Sequence, residues 1–217
     1  MSLHLSNPQI KRRGLMLVLS SPSGAGKTTL TRLLREREAS LSLSISVTTR
    51  ERRPSEVEGS HYYFISEDAF KDLQERGDLL ESAYVHGNYY GSPRKAIEKA
   101  LSDGQDILFD IDYQGARQIA TKAPDDVVTV FILPPSIKEL RMRLERRAED
   151  SPDVIDRRLA AAKQEINRWE DYDYVLVNED LDKTFAQLRA LLAAERLKRE
   201  RQVGLTGFVA GLLGDLP

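Results

Sequence analysis

Apolar residues along this chain fall into short runs of strand length, and between the runs they recur every three or four positions. The runs are Leu15 to Ser20, Leu43 to Thr48, Asp106 to Asp110, Val127 to Leu133 and Tyr174 to Val177. Helical spacing covers Lys27 to Glu38, Pro93 to Ser102, Tyr113 to Lys122, Ser136 to Arg147, Pro152 to Trp169 and Leu181 to Glu200. Strands that alternate with helices predict an α/β fold built on a parallel sheet.

Residues Thr49 to Gly91 break this rhythm. His61 to Ile65 and Leu80 to Val85 read as strands, a short helix lies near Glu67 to Arg76, and Gly87-Asn88 reads as a tight hairpin turn. This predicts a small antiparallel insertion. Near Ala148 to Pro152 a turn precedes an N-cap at Ser151 and a proline at the first helical position. The helices on either side then form a two-helix flap whose arginine-rich surface suits a moving lid. The apolar tail from Val203 to Leu213 is too short to span a bilayer. Docking on the domain or on a partner subunit and a loosely ordered terminus both remain open, and the tail is expected to be dispensable for turnover.

The stretch that carries the clearest chemistry is Ser20-Ser21-Pro22-Ser23-Gly24-Ala25-Gly26-Lys27-Thr28-Thr29, set between the first strand and the first helix. Gly24 and Gly26 can take positive φ and place no side chain between backbone amides and an anion. The helix start adds unpaired N–H groups and the positive end of its dipole. Lys27 supplies a mobile charge for the β- and γ-phosphates, and Thr28 a hydroxyl for Mg²⁺. The usual pattern G-x-x-x-x-G-K-[ST] opens with glycine where this chain has Ser21, but Gly26-Lys27-Thr28 retains the chemistry.

Composition narrows the rest. With 217 residues the chain can bury one sizeable core with insertions. A net charge of −2 gives no bulk attraction to nucleic acid or to an anionic membrane. The absence of cysteine removes disulfides, thiolate zinc sites and cysteine nucleophiles. Met1 to Arg13 lacks an apolar signal core, which points to the cytoplasm.

Moving a phosphoryl group between two polyanions is mainly positioning and charge neutralisation, so further cations are expected. Arg141, Arg143, Arg146 and Arg147 sit on one predicted helix, where Arg143 and Arg147 share a face. Arg157 and Arg158 open the next. The alternative is a solvated basic face pairing with Glu139, Glu145 and Glu149. Asp110 and Asp112 end a buried strand near the loop, where they can hold Mg²⁺ through water or fix a ligand amine, or else serve as turn and cap residues. Arg50, Arg53, Tyr62 and Tyr90 offer forks and phenols suited to a monophosphate, although tyrosines in such a hairpin also serve as packing. His4, His61 and His86 are scattered and read as structural or surface residues.

In combination these residues resemble the guanylate kinase family. The features are Gly24-Ala25-Gly26-Lys27-Thr28, Ser46-Val47-Thr48-Thr49-Arg50 with Arg53, Gly59 then Tyr62, Gly87 to Ser92, Asp110-Ile111-Asp112 with Gln114-Gly115, and Val177-Asn178, in family order from about Gly14 to Leu197. The resemblance implies a P-loop core with a parallel five-stranded sheet (residues 14–48 and 93–197, lid about 137–170), a small mixed α/β GMP-binding insertion (49–92) and a tail (198–217) of unknown role. It implies that residues Ser21 to Thr29 bind ATP, with Asn178 near the adenine and Thr28 and Asp110 on Mg²⁺. Arg50, Arg53, Tyr62 and Tyr90 would hold the GMP phosphate. Ser46, Glu81, Ser92 and Asp112 would read guanine, with Asp110 also on the substrate, and Lys27, Arg143, Arg147 and Arg158 would act in the transfer.

The expected partners are therefore ATP and GMP or dGMP, with no nucleic acid and no membrane, in a monomer or homodimer. Guanine presents N1–H and N2–H₂ donors on one edge, which a carboxylate such as Glu81 accepts as a pair, whereas adenine offers an unprotonated N1 there. No protein base is required, because a phosphate monoester with a second pKa of ~6 is already largely dianionic. The competing expectation is a catalytically inactive guanylate-kinase-like module that binds phosphopeptides. Pro93 and Ser21 depart from the common pattern, and nothing is transferred onto the tail after Arg201.

Overall fold

The computed structural model describes residues 10–85, 87–146 and 152–216. His4, His86, Arg147 and the expected N-cap Ser151 lie outside these residues. In chain order the strands are β1 (Met16–Ser20), β2 (Leu41–Leu43), β3 (Val47–Thr48), β4 (Tyr63–Phe64), β5 (Leu79–Val85), β6 (Asn88–Pro93), β7 (Asp106–Asp110), β8 (Val127–Leu133) and β9 (Tyr174–Val177). The helices are α1 (Lys27–Arg37), α2 (Glu67–Glu75), α3 (Arg94–Ser102), α4 (Tyr113–Lys122), α5 (Ile137–Glu145), α6 (Pro152–Ile166), α7 (Leu181–Arg196) and α8 (Leu205–Gly214).

Five strands form one parallel sheet in the order β2-β7-β1-β8-β9. β1 is central, and every residue in it is buried. Alternation along the strand explains the unbroken apolar run. Leu15, Leu17 and Leu19 pack on one side with Leu30 and Leu34 of α1 and Phe185, Leu188 and Leu192 of α7. Met16 and Val18 pack on the other with Ile97 and Leu101 of α3 and Ala116 and Ile119 of α4. Because β1 connects toward one edge of the sheet, to β2, and its neighbour β8 connects toward the other, to β9, the carboxyl end of β1 lies at a topological switch point, where open α/β sheets bind ligands.

The predicted strand Leu43 to Thr48 divides. Leu41–Leu43 joins the large sheet beside β7, whereas Val47–Thr48 joins a second sheet ordered β4-β3-β6-β5. The polar Ser44 and Ser46 interrupt the apolar run, and the chain uses that break to change sheets. In the second sheet β3 runs parallel to β4 and antiparallel to β6, so the insertion is mixed where a purely antiparallel one was predicted. The hairpin turn falls earlier than Gly87-Asn88, because Asn88 is already paired with Val85, and Gly87 has φ +82°.

Other boundaries shift slightly. Pro93 closes β6 and α3 starts at Arg94. The helix predicted to reach Trp169 stops at Ile166 and is followed by a short turn at Trp169–Asp171, and α7 stops at Arg196 before a second turn at Arg199–Arg201. α5 and α6, the helices from which a flap is expected, pack on each other through Leu140, Leu144, Ile155 and Ala162. The tail is helical in α8, with no residue of that helix buried. Behind the sheet the buried Asp106 accepts two bonds from Arg12, one from Arg196 and one from the Leu15 amide, tying the segment before β1 and the end of α7 to β7.

Candidate active site

The loop after β1 turns on two left-handed glycines, Gly24 at φ +92° and Gly26 at φ +105°. Ser21, Pro22, Ser23, Gly24, Gly26, Lys27 and Thr28 line a cleft of about 310 Å³ together with Asp110, Asp112 and Glu165. Ala25 is wholly buried and faces away, its carbonyl accepting a 2.8 Å bond from Asn178 Nδ2. Asn178 follows β9 and is itself buried, so its amide braces the loop. It also lines a second cleft of about 480 Å³ on the far side of the loop, with Thr29, Arg143 and Arg146.

The Lys27 ammonium is ion-paired with Asp110, which ends β7. Among the described residues no group of three or more His, Asp or Glu forms a metal cage. The oxygen donors at hand, Thr28 and Asp110, fit Mg²⁺, a cation that keeps most of its waters and takes the remainder of its shell from phosphates. Glu165 of α6 also enters this cleft. Burial pushes its carboxyl above the ordinary carboxylate range, while the Ser23 amide and the Lys27 charge oppose that shift.

Arg143 donates to Glu139 at 2.9 Å and to the Asn178 carbonyl at 3.1 Å, so from α5 it reaches the residue that braces the loop. The predicted pairing of this basic face with Glu139 is therefore present at Arg143, and a carboxylate contact coexists with a position at the cleft. Arg158 lies seven residues before Glu165 on α6 and so on the same side of that helix.

The insertion assembles a separate polar group. Arg50 pairs with Glu56 at 2.7 Å and lies over the rings of Tyr62 at 5.5 Å and Phe64 at 5.8 Å, with the Tyr90 hydroxyl against it. Tyr62 and Tyr90 meet edge to face at 5.9 Å. The Arg53 amide donates to Glu56 at 2.9 Å, and Arg50 with that amide holds the Glu56 carboxyl below its ordinary range. Ser46 precedes β3, and its carbonyl accepts from the Tyr63 amide. Glu81 on β5 is only 5% exposed and accepts a 2.7 Å bond from the fully buried Ser92 hydroxyl. Burial raises the Glu81 pKa, Ser92 opposes the rise, and the nearby Asp112 adds to it. Asp112 also caps α4, accepting from the Gln114 and Gly115 amides at 3.0 Å each. The cap role and the cleft position, posed as alternatives from sequence, hold together.

The sequence reading missed Glu165 and Glu56. Glu165 had a weak signal in its seven-residue spacing from Arg158, and Glu56 had none, since it lies in irregular chain.

A glycine turn at the carboxyl end of a central parallel strand, opening a helix with Lys27 and Thr28, defines a phosphate-loop nucleotide-binding protein of the α/β class. A family model described as guanylate kinase matches residues 13–195. A guanylate kinase of Chelativorans sp. is 59% identical over 96% of this chain and 95% of its own, and one of Rhizobium meliloti is 58% identical over the same shares. The crystal structure of guanylate kinase from Anaplasma phagocytophilum superposes with a TM-score of 0.73 at 40% identity, covering 95% of this chain and 99% of that one. The chain belongs to the guanylate kinase family, a family of nucleoside-monophosphate kinases.

Proposed function

We propose that this protein transfers the terminal phosphoryl group of ATP to GMP, and to dGMP, giving ADP and GDP or dGDP as a step of cytoplasmic purine nucleotide metabolism. The observation that carries the guanine assignment is the buried Glu81, held by Ser92 and facing Asp112. A desolvated carboxylate beside a second one is poised to accept donors in pairs, and the guanine edge offers N1–H and N2–H₂ together. Adenine would leave Glu81 against an acceptor.

Arg50, Tyr62 and Tyr90, with Arg53 nearby, form the group suited to the monophosphate, where a planar guanidinium matches two phosphate oxygens. At the other end Lys27 and the Ser23 to Thr28 amides suit the β- and γ-phosphates of ATP, with Asn178 bracing the loop on the adenine side. Mg²⁺, held by Thr28 and through water by Asp110, would neutralise phosphate charge. Arg143 and Arg158, and Arg147 from the sequence, would draw the transferring group toward the acceptor as the flap closes and excludes water.

The test is a coupled assay offering GMP, dGMP, AMP, CMP and UMP with ATP and Mg²⁺. GMP and dGMP are expected to be turned over and the others to lag by factors of about 10⁴. Comparable turnover of AMP would remove the guanine reading. Lys27→Ala is expected to lower the rate about a thousandfold with the fold intact; near-wild-type turnover would refute its role.

A further inference from the structure

We infer that Gln118, on core helix α4, is a positioning residue for guanine recognition: its carboxamide holds open the strand bulge that aims Glu81 at the base. The inference rests on the reading of Glu81 proposed above. In the β5–β6 ladder Ser82 pairs with Gly91 but Leu79 pairs with Pro93, and the register shifts between them. Leu80 and Glu81 together therefore oppose Ser92 alone. Such a bulge bends a strand and re-aims a side chain, at the loss of ladder bonds. Here it brings Glu81 against the Ser92 hydroxyl, within 2.7 Å.

β5 is the edge of its sheet, so its outer backbone groups have no strand to bond. α4 supplies the partner. Gln118 Oε1 accepts from the Ser82 amide at 3.0 Å and Gln118 Nε2 donates to the Ser82 carbonyl at 3.0 Å. One carboxamide thus makes both bonds that a residue of a neighbouring strand would make. One turn further on, Lys122 Nζ donates to the Leu79 carbonyl at 3.0 Å. The two ties grip the residues at either end of the bulge.

Their roles differ. Lys122 makes one bond through a flexible stem, whereas Gln118 makes two from a planar group and fixes an orientation. The Ser82 N–H belongs to the peptide plane that carries the Glu81 carbonyl, so Gln118 restrains ψ of Glu81 itself. α4 also carries Asp112 at its N-cap. A single helix therefore sets both carboxylates, one at its own start and the other through a side chain on its flank. Their separation follows from helix geometry and is independent of how the insertion's loops are arranged.

The test compares Gln118→Leu, which keeps size and removes both bonds, with Arg117→Ala, an exposed position on the same helix. In Gln118→Leu the KM for GMP is expected to rise about tenfold, equivalent to about 1.4 kcal/mol. The KM for ATP and kcat should stay within about twofold, and the preference for GMP over AMP should fall about tenfold. Arg117→Ala should change none of these. A tie that only stabilised the fold would lower the unfolding midpoint and leave the split between the two KM values untouched, which would overturn the inference. Gln118→Glu keeps the acceptor for the Ser82 amide and loses the donor, so it should show a smaller shift of the same kind. Should Gln118→Leu not fold, Gln118→Glu with unaltered GMP kinetics would be decisive against it, as would exchange of the Ser82 amide in the wild-type chain at the rate of an open strand edge. Wild-type protein that shows no preference for GMP would instead remove the reading of Glu81 on which the inference rests.

Discussion

Gly26→Ala is the substitution whose effect can be worked most directly from the geometry. Gly26 has φ +105°, and a methyl there would lie closer to Asn178 Nδ2 than the 3.0 Å limit that real Cβ contacts essentially never breach. A left-handed conformation costs a non-glycine residue about 1–2 kcal/mol. Asn178 must also move, breaking its 2.8 Å bond to the Ala25 carbonyl in a buried site. A buried acceptor left without a donor adds about 1–3 kcal/mol. The total is about 2–5 kcal/mol, which for a chain of this size lowers the unfolding midpoint on the order of 10 °C. Thermal unfolding followed by circular dichroism reads this directly, and titration with ATP should show weakened binding because the same loop carries the amides that face phosphate. The decisive step is to repeat the substitution with Asn178→Ala in place. Without the amide in its path the methyl should cost only the backbone strain, about 1–2 kcal/mol. An equal loss in both backgrounds would show that Asn178 is not what the methyl meets, and an unchanged midpoint in the single variant would refute the account of the loop.

Three further outcomes follow from the burial and charge pattern. Burial raises the Glu81 pKa, so its stabilising contribution is complete below the ordinary carboxylate pKa and is lost as pH rises through the folded value; Glu81→Gln should therefore be more stable than wild type near neutrality, converge with it in acid, and bind GMP far more weakly while ATP is unaffected, as calorimetry at several pH values would show. Asp106→Ala strands Arg12, leaves Arg196 only Glu38 and Ser40, and removes the acceptor of the Leu15 amide, so denaturant unfolding should report a loss of about 3 kcal/mol with both KM values preserved, whereas altered kinetics would implicate this network in the site. Truncation after Gln202 removes an exposed helix and the 2.8 Å bond from the Gly204 amide to the Lys11 carbonyl, so turnover should persist with at most about 1 kcal/mol lost; an inactive but folded product would give the tail a function in catalysis.

The parts of this fold that were legible in the sequence are those where local pattern and global packing agree. β1 reads as an unbroken apolar run because both its faces are covered, and α4 was delimited to the residue because Asp112 caps it and the chain breaks after Lys122. The loop was legible because glycine, lysine and threonine in that order have few other uses. Leu43 to Thr48 was misread because periodicity states that a segment is extended and says nothing of which sheet it joins. Glu165 escaped because a carboxylate on the polar side of an amphipathic helix looks like any solvated residue until α6 is folded over the loop. Gln118 left no local trace at all, since its significance depends on a register shift in a strand 36 residues away.

Three of the cations proposed to meet phosphate are already matched with carboxylates of the chain itself: Lys27 with Asp110, Arg143 with Glu139, and Arg50 with Glu56. These pairs are largely withdrawn from solvent, with Arg50 and Glu56 17% and 13% exposed, unlike the surface pair Arg32–Glu36 at 62% and 51%. Partial burial raises both the attraction within a pair and the cost of leaving either member alone. A phosphate group that binds must therefore take over from a carboxylate instead of meeting a bare charge, and the affinity is the difference between two strong interactions. That difference favours a dianion over a monoanion, because only the greater charge outweighs the partner it displaces. On the proposed reading it would also keep nucleotide affinity moderate, which suits a transfer enzyme: binding energy spent equally on ground state and transition state does not raise turnover, and a product held too firmly would slow it. On that reading the internal carboxylates would serve selectivity and release together, and Glu56, which also accepts the Arg53 amide, would keep Arg50 and the backbone of Arg53 in position between turnovers.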